Sequence, residues 1–396
     1  YTRSFPPRHL ICFKQWNAKM VLEILLSAMN LKCRMRDTHN RKLEILPNTK
    51  VMILSEVNEP MLNMAVSKAA TLLGATDVNI IDNVVWEHDY NGRYTRSFPP
   101  RHLICFKQWN AKMVLEILLS AMNLKCRMRD THNRKLEILP NTKVMILSEV
   151  NEPMLNMAVS KAATLLGATD VNIIDNVVWE HDYNGRIFSD MADIIFVATK
   201  THMCIQRFAD KSSVPVLCMM SRTHATIQSM ATVMSIMEEY GSMQGVNMSY
   251  VGPPHPILNS YLLLCPMLGA NIRFKCGCND CPVTPLLLDA SKAMTAKTAT
   301  EAEQCTEAKD ALKNACVVVA GPTSTDKNKI HEFAMGVQEI NKLTAFRWIF
   351  FHTCPRGEEV DDILFWNCNA RTFNAFHNMQ YVAAALMAAH VRNYKF

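Results

Sequence analysis

Residues 1–93 recur without one substitution as residues 94–186. An exact internal copy of this length constrains the fold more than any short motif. Solenoid repeats run to about 20–50 residues, drift apart and number at least three. Two identical copies of 93 do not build one. A tandem subdomain is one reading. A recent exon duplication or a gene-model artefact is the other, and packing favours it. The repeat ends at Asn91-Gly92-Arg93. In the second copy the same arginine, Arg186, runs on through Ile187-Phe188-Ser189-Asp190 into an apolar stretch at 194–198. The first copy stops before that strand, so it would form an incomplete sheet with unpaired edges. Less one copy, the chain of 396 is 303 residues long, the size of two domains at roughly 150 residues each.

The repeat also explains the charge. The chain carries a formal +6. Each copy holds twelve basic and nine acidic residues, and the remaining 210 residues balance at eighteen of each. The surplus is the repeat counted twice, so neither a nucleic acid nor a membrane partner is expected. A hydrophobic fraction of 49% excludes a disordered chain. No apolar run reaches the ~18 residues of a membrane span. No secretory signal opens the sequence, and the start at Tyr1 rather than Met leaves a removed leader open. Fourteen cysteines follow no disulfide framework, which reads as free thiols in a reducing compartment. Glycine is scarce, at 12, although loops that press backbone N–H groups against phosphate usually need it.

Apolar periodicity predicts alternating strands and helices. From the second copy onward it places helices at 111–129, 153–166 and 226–240, and strands at 143–148, 171–174, 191–198 and 214–219. The second half repeats the idiom, with strands at 246–252, 271–275, 315–320 and 347–352. Helices are expected there at 257–268, 299–309, 326–340 and 380–391. The fold class is therefore α/β, with two parallel-sheet domains and ligands expected at the carboxyl ends of the strands.

Particular stretches then resemble a known family. They include Arg101-His102-Leu103-Ile104, Leu118-Leu119-Ser120-Ala121, Ser189-Asp190-Met191-Ala192-Asp193 and Glu239-Tyr240-Gly241-Ser242-Met243-Gln244-Gly245. The most specific is His352-Thr353-Cys354-Pro355-Arg356-Gly357-Glu358-Glu359-Val360-Asp361-Asp362. Residues 100–396 resemble ornithine carbamoyltransferase over nearly its full length. The resemblance implies the aspartate/ornithine carbamoyltransferase fold, preceded here by a partial duplicate of the first domain at 1–93. It implies a carbamoyl-phosphate-type domain at 94–228, an amino-acid-type domain at 229–378, and a final helix at 379–396 returning to the first domain. It also implies a homotrimer, and a mitochondrial matrix location alongside a cytoplasmic alternative.

The family joins carbamoyl phosphate to the ornithine amine, which requires cations and a helix N-terminus on the phosphate. Its Ser-Thr-Arg-Thr-Arg phosphate loop falls on Glu152-Pro153-Met154-Leu155-Asn156. No arginine and no hydroxyl remains, and copy one repeats the loss at Glu59-Pro60-Met61-Leu62-Asn63. A further phosphate arginine falls on Ala198. His-Pro-x-Gln becomes Ala225-Thr226-Ile227-Gln228, with His224 one place early. The ornithine-binding Asp-Gly-Asn-Asn becomes Pro253-Pro254-His255-Pro256. The amino-acid-gripping aspartate falls on Gly321, and its Ser-Met-Gly on Thr325-Asp326-Lys327. The cysteine falls on Thr353, with Cys354 one place late. The last arginine falls on Asn369, with Arg371 two away. Gln228, His352, Pro355 and Arg356 are retained.

Core kept and site lost is the pattern of a pseudoenzyme. The expected function is a catalytically inactive ornithine carbamoyltransferase-like scaffold or regulator that pairs with protein partners or an assembly. The alternative is an active ornithine carbamoyltransferase with rebuilt contacts. A third reading gives the fold an uncharged substrate. No cofactor or metal is expected, because Cys276-Gly277-Cys278-Asn279-Asp280-Cys281 lacks a nearby fourth ligand. His352 reads as a satisfied strand-end histidine, and 358–362 as a solvated acidic helix start.

Overall fold

The computed structural model describes residues 50–55, 66, 69–70, 77–82, 101–130, 135–149, 152–177, 179, 183–276, 285–322 and 332–396. The chain divides into two compact units, 1–94 and 95–396. In the first, Lys50–Ser55 (β1) pairs in parallel with Asp77–Asp82 (β2), with Lys50 opposite Asp77.

The second unit opens with helix α1, Ala111–Asp130. Strand β3, Lys143–Ser148, leads to α2, Pro153–Leu165, and β4, Asp170–Asp175. Next come α3, Asn184–Ser189, β5, Ile194–Ala198, α4, His202–Lys211, and β6, Val216–Met220. The first sheet has the order β4-β3-β5-β6, parallel throughout. Strand β5 is buried along its whole length, which is why it reads as an unbroken apolar run rather than an alternating one. Lys143 faces Asp170 in the same register that Lys50 and Asp77 adopt. The equal sequences thus pair equally, and in the second unit β5 lies beside β3.

Helix α5, Thr226–Tyr240, leaves the first sheet and ends at Gly241, whose φ of 84° is left-handed. A second sheet follows, of order β11-β10-β7-β8-β9, parallel again. Its elements are β7 (Asn247–Val251), α6 (Pro256–Met267), β8 (Asn271–Lys275), α7 (Pro285–Thr298) and β9 (Ala302–Gln304). They continue as α8 (Ala308–Leu312), β10 (Val317–Ala320), α9 (Val337–Leu343), β11 (Ile349–His352) and α10 (Asp362–Phe365). Helix α11, Thr372–Arg392, closes the chain and packs on α5, α2 and α1. A polar knot ties three of these helices. Lys125 Nζ donates to Glu238 Oε1 at 2.7 Å and to Asn378 Oδ1 at 2.8 Å, and Asn378 Nδ2 donates to Ser235 Oγ at 2.9 Å.

Two of the expected helices are corrected. Residues 299–309 are not one helix. Helix α7 precedes them, Ala299 turns to a φ of 52°, and 302–304 pair with β8 as an edge strand. Arg273 on β8 holds that polar edge through Glu301 at 3.6 Å and Glu303 at 3.2 Å. Of the helix expected at 326–340, Glu332 and Phe333 are helical, but the helix is interrupted and a separate one begins at Val337. Met335 instead bridges Val360, and Gly336 caps the helix in extended backbone.

Candidate functional site

Glu152–Asn156, where the resemblance sets the phosphate loop, sit after β3 and at the start of α2. Glu152 occupies the N-cap and makes no side-chain cap bond, and Pro153 follows with no N–H to offer. Leu155 is buried in the core, and Met154 is exposed. Asn156 is buried and faces inward, accepting from Ser148 Oγ at 3.0 Å. Its Nδ2 donates to Asp175 Oδ1, at the end of β4, at 3.5 Å. Burial pushes the Glu152 carboxyl up from its ordinary range. Glu149, also at the end of β3, accepts from Thr199 Oγ1 at 2.6 Å and from the Lys200 N–H at 2.8 Å. The carboxyl ends of β3 and β4 and the N-cap of α2 therefore present Glu149, Asp175 and Glu152. A phosphate brought there would need charge partners and would meet carboxylates.

Ala198 ends β5, fully buried, and its carbonyl accepts from Glu149 N–H at 2.8 Å. Ser221-Arg222-Thr223, which looks like the missing motif, forms a tight turn in another loop. Ser221 Oγ there accepts from the N–H groups of Thr223 and His224. Ala225 caps α5 and donates its N–H to Ser260 Oγ at 3.1 Å.

Two of the retained positions, Gln228 and His352, come together, but around protein. Gln228 Nε2 donates to the Thr353 carbonyl at 3.0 Å, joining α5 to the loop after β11. Thr353 Oγ1 and N–H both reach the Ala320 carbonyl. Gln228, His352 and Thr353 line a cavity of about 10 Å³ with Thr232, Tyr261 and Phe376, which is space for about one water. Arg356, beyond Pro355, pairs with Asp362 at 2.6 Å and lies 4.7 Å from the centre of the Phe365 ring. Arg371 pairs with Glu239 at 3.2 Å and donates to the Cys368 carbonyl. Asn369 contributes its carbonyl to Phe350 N–H.

Gly321 stands at the end of β10, and its space is taken. A Cβ there would lie 2.2 Å from Tyr250 Oη, and that hydroxyl is tied to the Pro253 carbonyl at 2.7 Å. His255 serves as the N-cap of α6, its Nδ1 accepting from Ile257 N–H at 3.2 Å.

His352 ends β11 with both ring nitrogens engaged. Nδ1 accepts from Cys354 N–H at 2.9 Å, so Nε2 carries the proton and donates to Glu359 Oε1 at 2.8 Å. Burial holds the ring below its usual range, against the opposing pull of Glu359. This corrects the reading of 358–362 as wholly solvated, because Glu359 is 1% exposed beneath the histidine. Asp361 does cap α10, accepting from Leu364 N–H at 2.7 Å.

Residues 59–63, Cys278, Cys281 and 325–327 lie outside the described residues. One group escaped the sequence reading altogether. Cys105 precedes a short 3-10 turn, His202 opens α4 and His224 lies just ahead of α5, and one ligand atom of each lies within 4.8 Å of the other two. No spacing in the chain announces it.

Comparison with known proteins agrees with this architecture. The sequence model of the family "Aspartate/ornithine carbamoyltransferase, Asp/Orn binding domain" matches residues 244–390. A mitochondrial ornithine carbamoyltransferase of Aquarana catesbeiana is 23% identical over 309 residues, covering 74% of this chain and 87% of its own. A mitochondrial ornithine transcarbamylase of Gallus gallus is 21% identical, at 74% and 86% coverage. The solved ornithine carbamoyltransferase of Pyrococcus furiosus superimposes with a TM-score of 0.69 at 19% identity, over 74% of this chain and 97% of that one. Its mitochondrial counterpart from Coccidioides immitis gives 0.69 at 19%, over 74% and 98%. The two parallel sheets share the fold of these enzymes, and residues 244–390 match the Asp/Orn binding domain of the aspartate/ornithine carbamoyltransferase family.

Proposed function

We propose that this chain is a non-catalytic member of its family, a structural or regulatory protein that has given up carbamoyl phosphate. The observation that carries the reading is the sign of charge at the carboxyl ends of β3 and β4. Glu149, Glu152 and Asp175 stand there in place of a basic phosphate loop. The retained Gln228 and His352 spend their polar atoms on Thr353, Cys354 and Glu359, which fits the same reading. The family resemblance supports a homotrimer and a mitochondrial location. It also supports a division at 94–228, 229–378 and 379–396, behind a redundant copy at 1–93.

The test is calorimetry of carbamoyl phosphate on the full chain, followed by a citrulline assay with ornithine added. The expected result is no heat of binding and no citrulline. Saturable binding with citrulline formed would establish an active ornithine carbamoyltransferase and end the proposal.

A further inference from the structure

We propose that Cys105, His202 and His224 form a binding site for a zinc ion at the carboxyl ends of β5 and β6. Cys105 precedes the short 3-10 turn Phe106–Gln108, His202 is the first residue of α4, and His224 lies just ahead of α5. The ligand atoms lie within 4.8 Å of one another. A tetrahedral zinc with sulfur at ~2.3 Å and nitrogen at ~2.0 Å sets neighbouring ligand atoms roughly 3.3–3.6 Å apart. Side-chain rotation of about 1 Å closes that difference. One thiolate and two imidazoles form a donor set that zinc accepts, and they leave a fourth position for water or an anion.

The surroundings add an independent argument. His202 Nδ1 lies 3.1 Å from Ser221 Oγ, and His224 Nδ1 lies 3.4 Å from Ser260 Oγ. A partner on the far nitrogen fixes the orientation of a metal-bound imidazole, and it leaves Nε2 of each ring for the ion. The two rings stand 5.3 Å apart at 64°, so they converge rather than stack. Lys107 is the cation acting on both rings. It opposes a bare dication, and the Cys105 thiolate offsets it, the thiol proton passing to solvent as the ion binds. The site stands whether or not the chain turns over carbamoyl phosphate.

The duplication supplies an internal control. Cys12 repeats Cys105 in the first copy, but His202 and His224 lie beyond the repeat. The experiment is a cobalt titration of the full chain followed by absorbance, with zinc content measured by elemental analysis. The expected result is one zinc per chain, and a thiolate-to-cobalt charge-transfer band with tetrahedral d–d bands. Cys105→Ser and His202→Gln should each abolish the band while keeping the wild-type far-UV circular dichroism. Cys12→Ser and Cys276→Ser should keep the band. Ser221→Ala should weaken zinc binding roughly 10–100-fold. Absence of the band in the wild-type chain, its survival in Cys105→Ser and His202→Gln, or its loss in Cys276→Ser would overturn the assignment.

Discussion

Gly321 shows how one residue can close a pocket. The family resemblance sets an aspartate there, and Tyr250 now fills that volume with its hydroxyl fixed on Pro253. Gly321→Ala should therefore cost about 1–3 kcal/mol through overpacking, read as a lower urea midpoint. Adding Tyr250→Phe should recover part of the loss, and an unchanged midpoint in the single variant would mean that the ring swings aside. Two histidines give a second expectation. Burial lowers His255 to about 4 and also lowers His352. Their folded forms are neutral, while the unfolded rings take up protons near the ordinary value of about 6.5. The stability they contribute is complete above that pH and is lost as the pH falls toward 4, with a slope of up to about 1.4 kcal/mol per pH unit for one ring. Thermal midpoints at pH 7.5 and pH 5 check the sign.

Helix α5 connects the two sheets, and its end depends on Gly241 in the left-handed region. Gly241→Ala should cost about 1 kcal/mol, visible in chemical unfolding. The N-cap of α10 makes a similar test, because Asp361→Ala removes the bond to Leu364 N–H and should cost about 1 kcal/mol. At this scale much was legible in the sequence. The apolar run of β3 and the glycine stop after α5 each mark an element without help from distant residues. Edge strand β9 was not legible, because its polar Ala302–Gln304 is held by charges on β8 rather than by its own pattern. That Glu152–Asn156 hold no arginine and no hydroxyl could be read residue by residue, since it rests on which side chains are present. The burial of Glu359 under His352 and the meeting of Cys105, His202 and His224 could not, because both depend on how separate segments fold together.

For the molecule as a whole, the redundant copy should contribute little to the stability of residues 95–396. Removal of residues 1–93 should leave the urea midpoint of the second unit unchanged, and a clear drop would reveal a dependence on the first copy. The equal registers of β1–β2 and β3–β4 carry a further consequence. The slot beside β5 accepts the sequence Lys-Val-Met-Ile-Leu-Ser, and the chain offers it twice. Side-chain chemistry cannot choose between two identical candidates, so the choice falls to polymer statistics. The tether from β1 to β5 is about three times longer than that from β3, a closure penalty of about 1 kcal/mol. Such a narrow gap makes the folding chain nearly degenerate in its threading. Val144→Asp should tip that balance toward the upstream strand, while Val51→Asp should leave it alone, and hydrogen exchange compared between residues 50–55 and 143–148 would register which segment has docked.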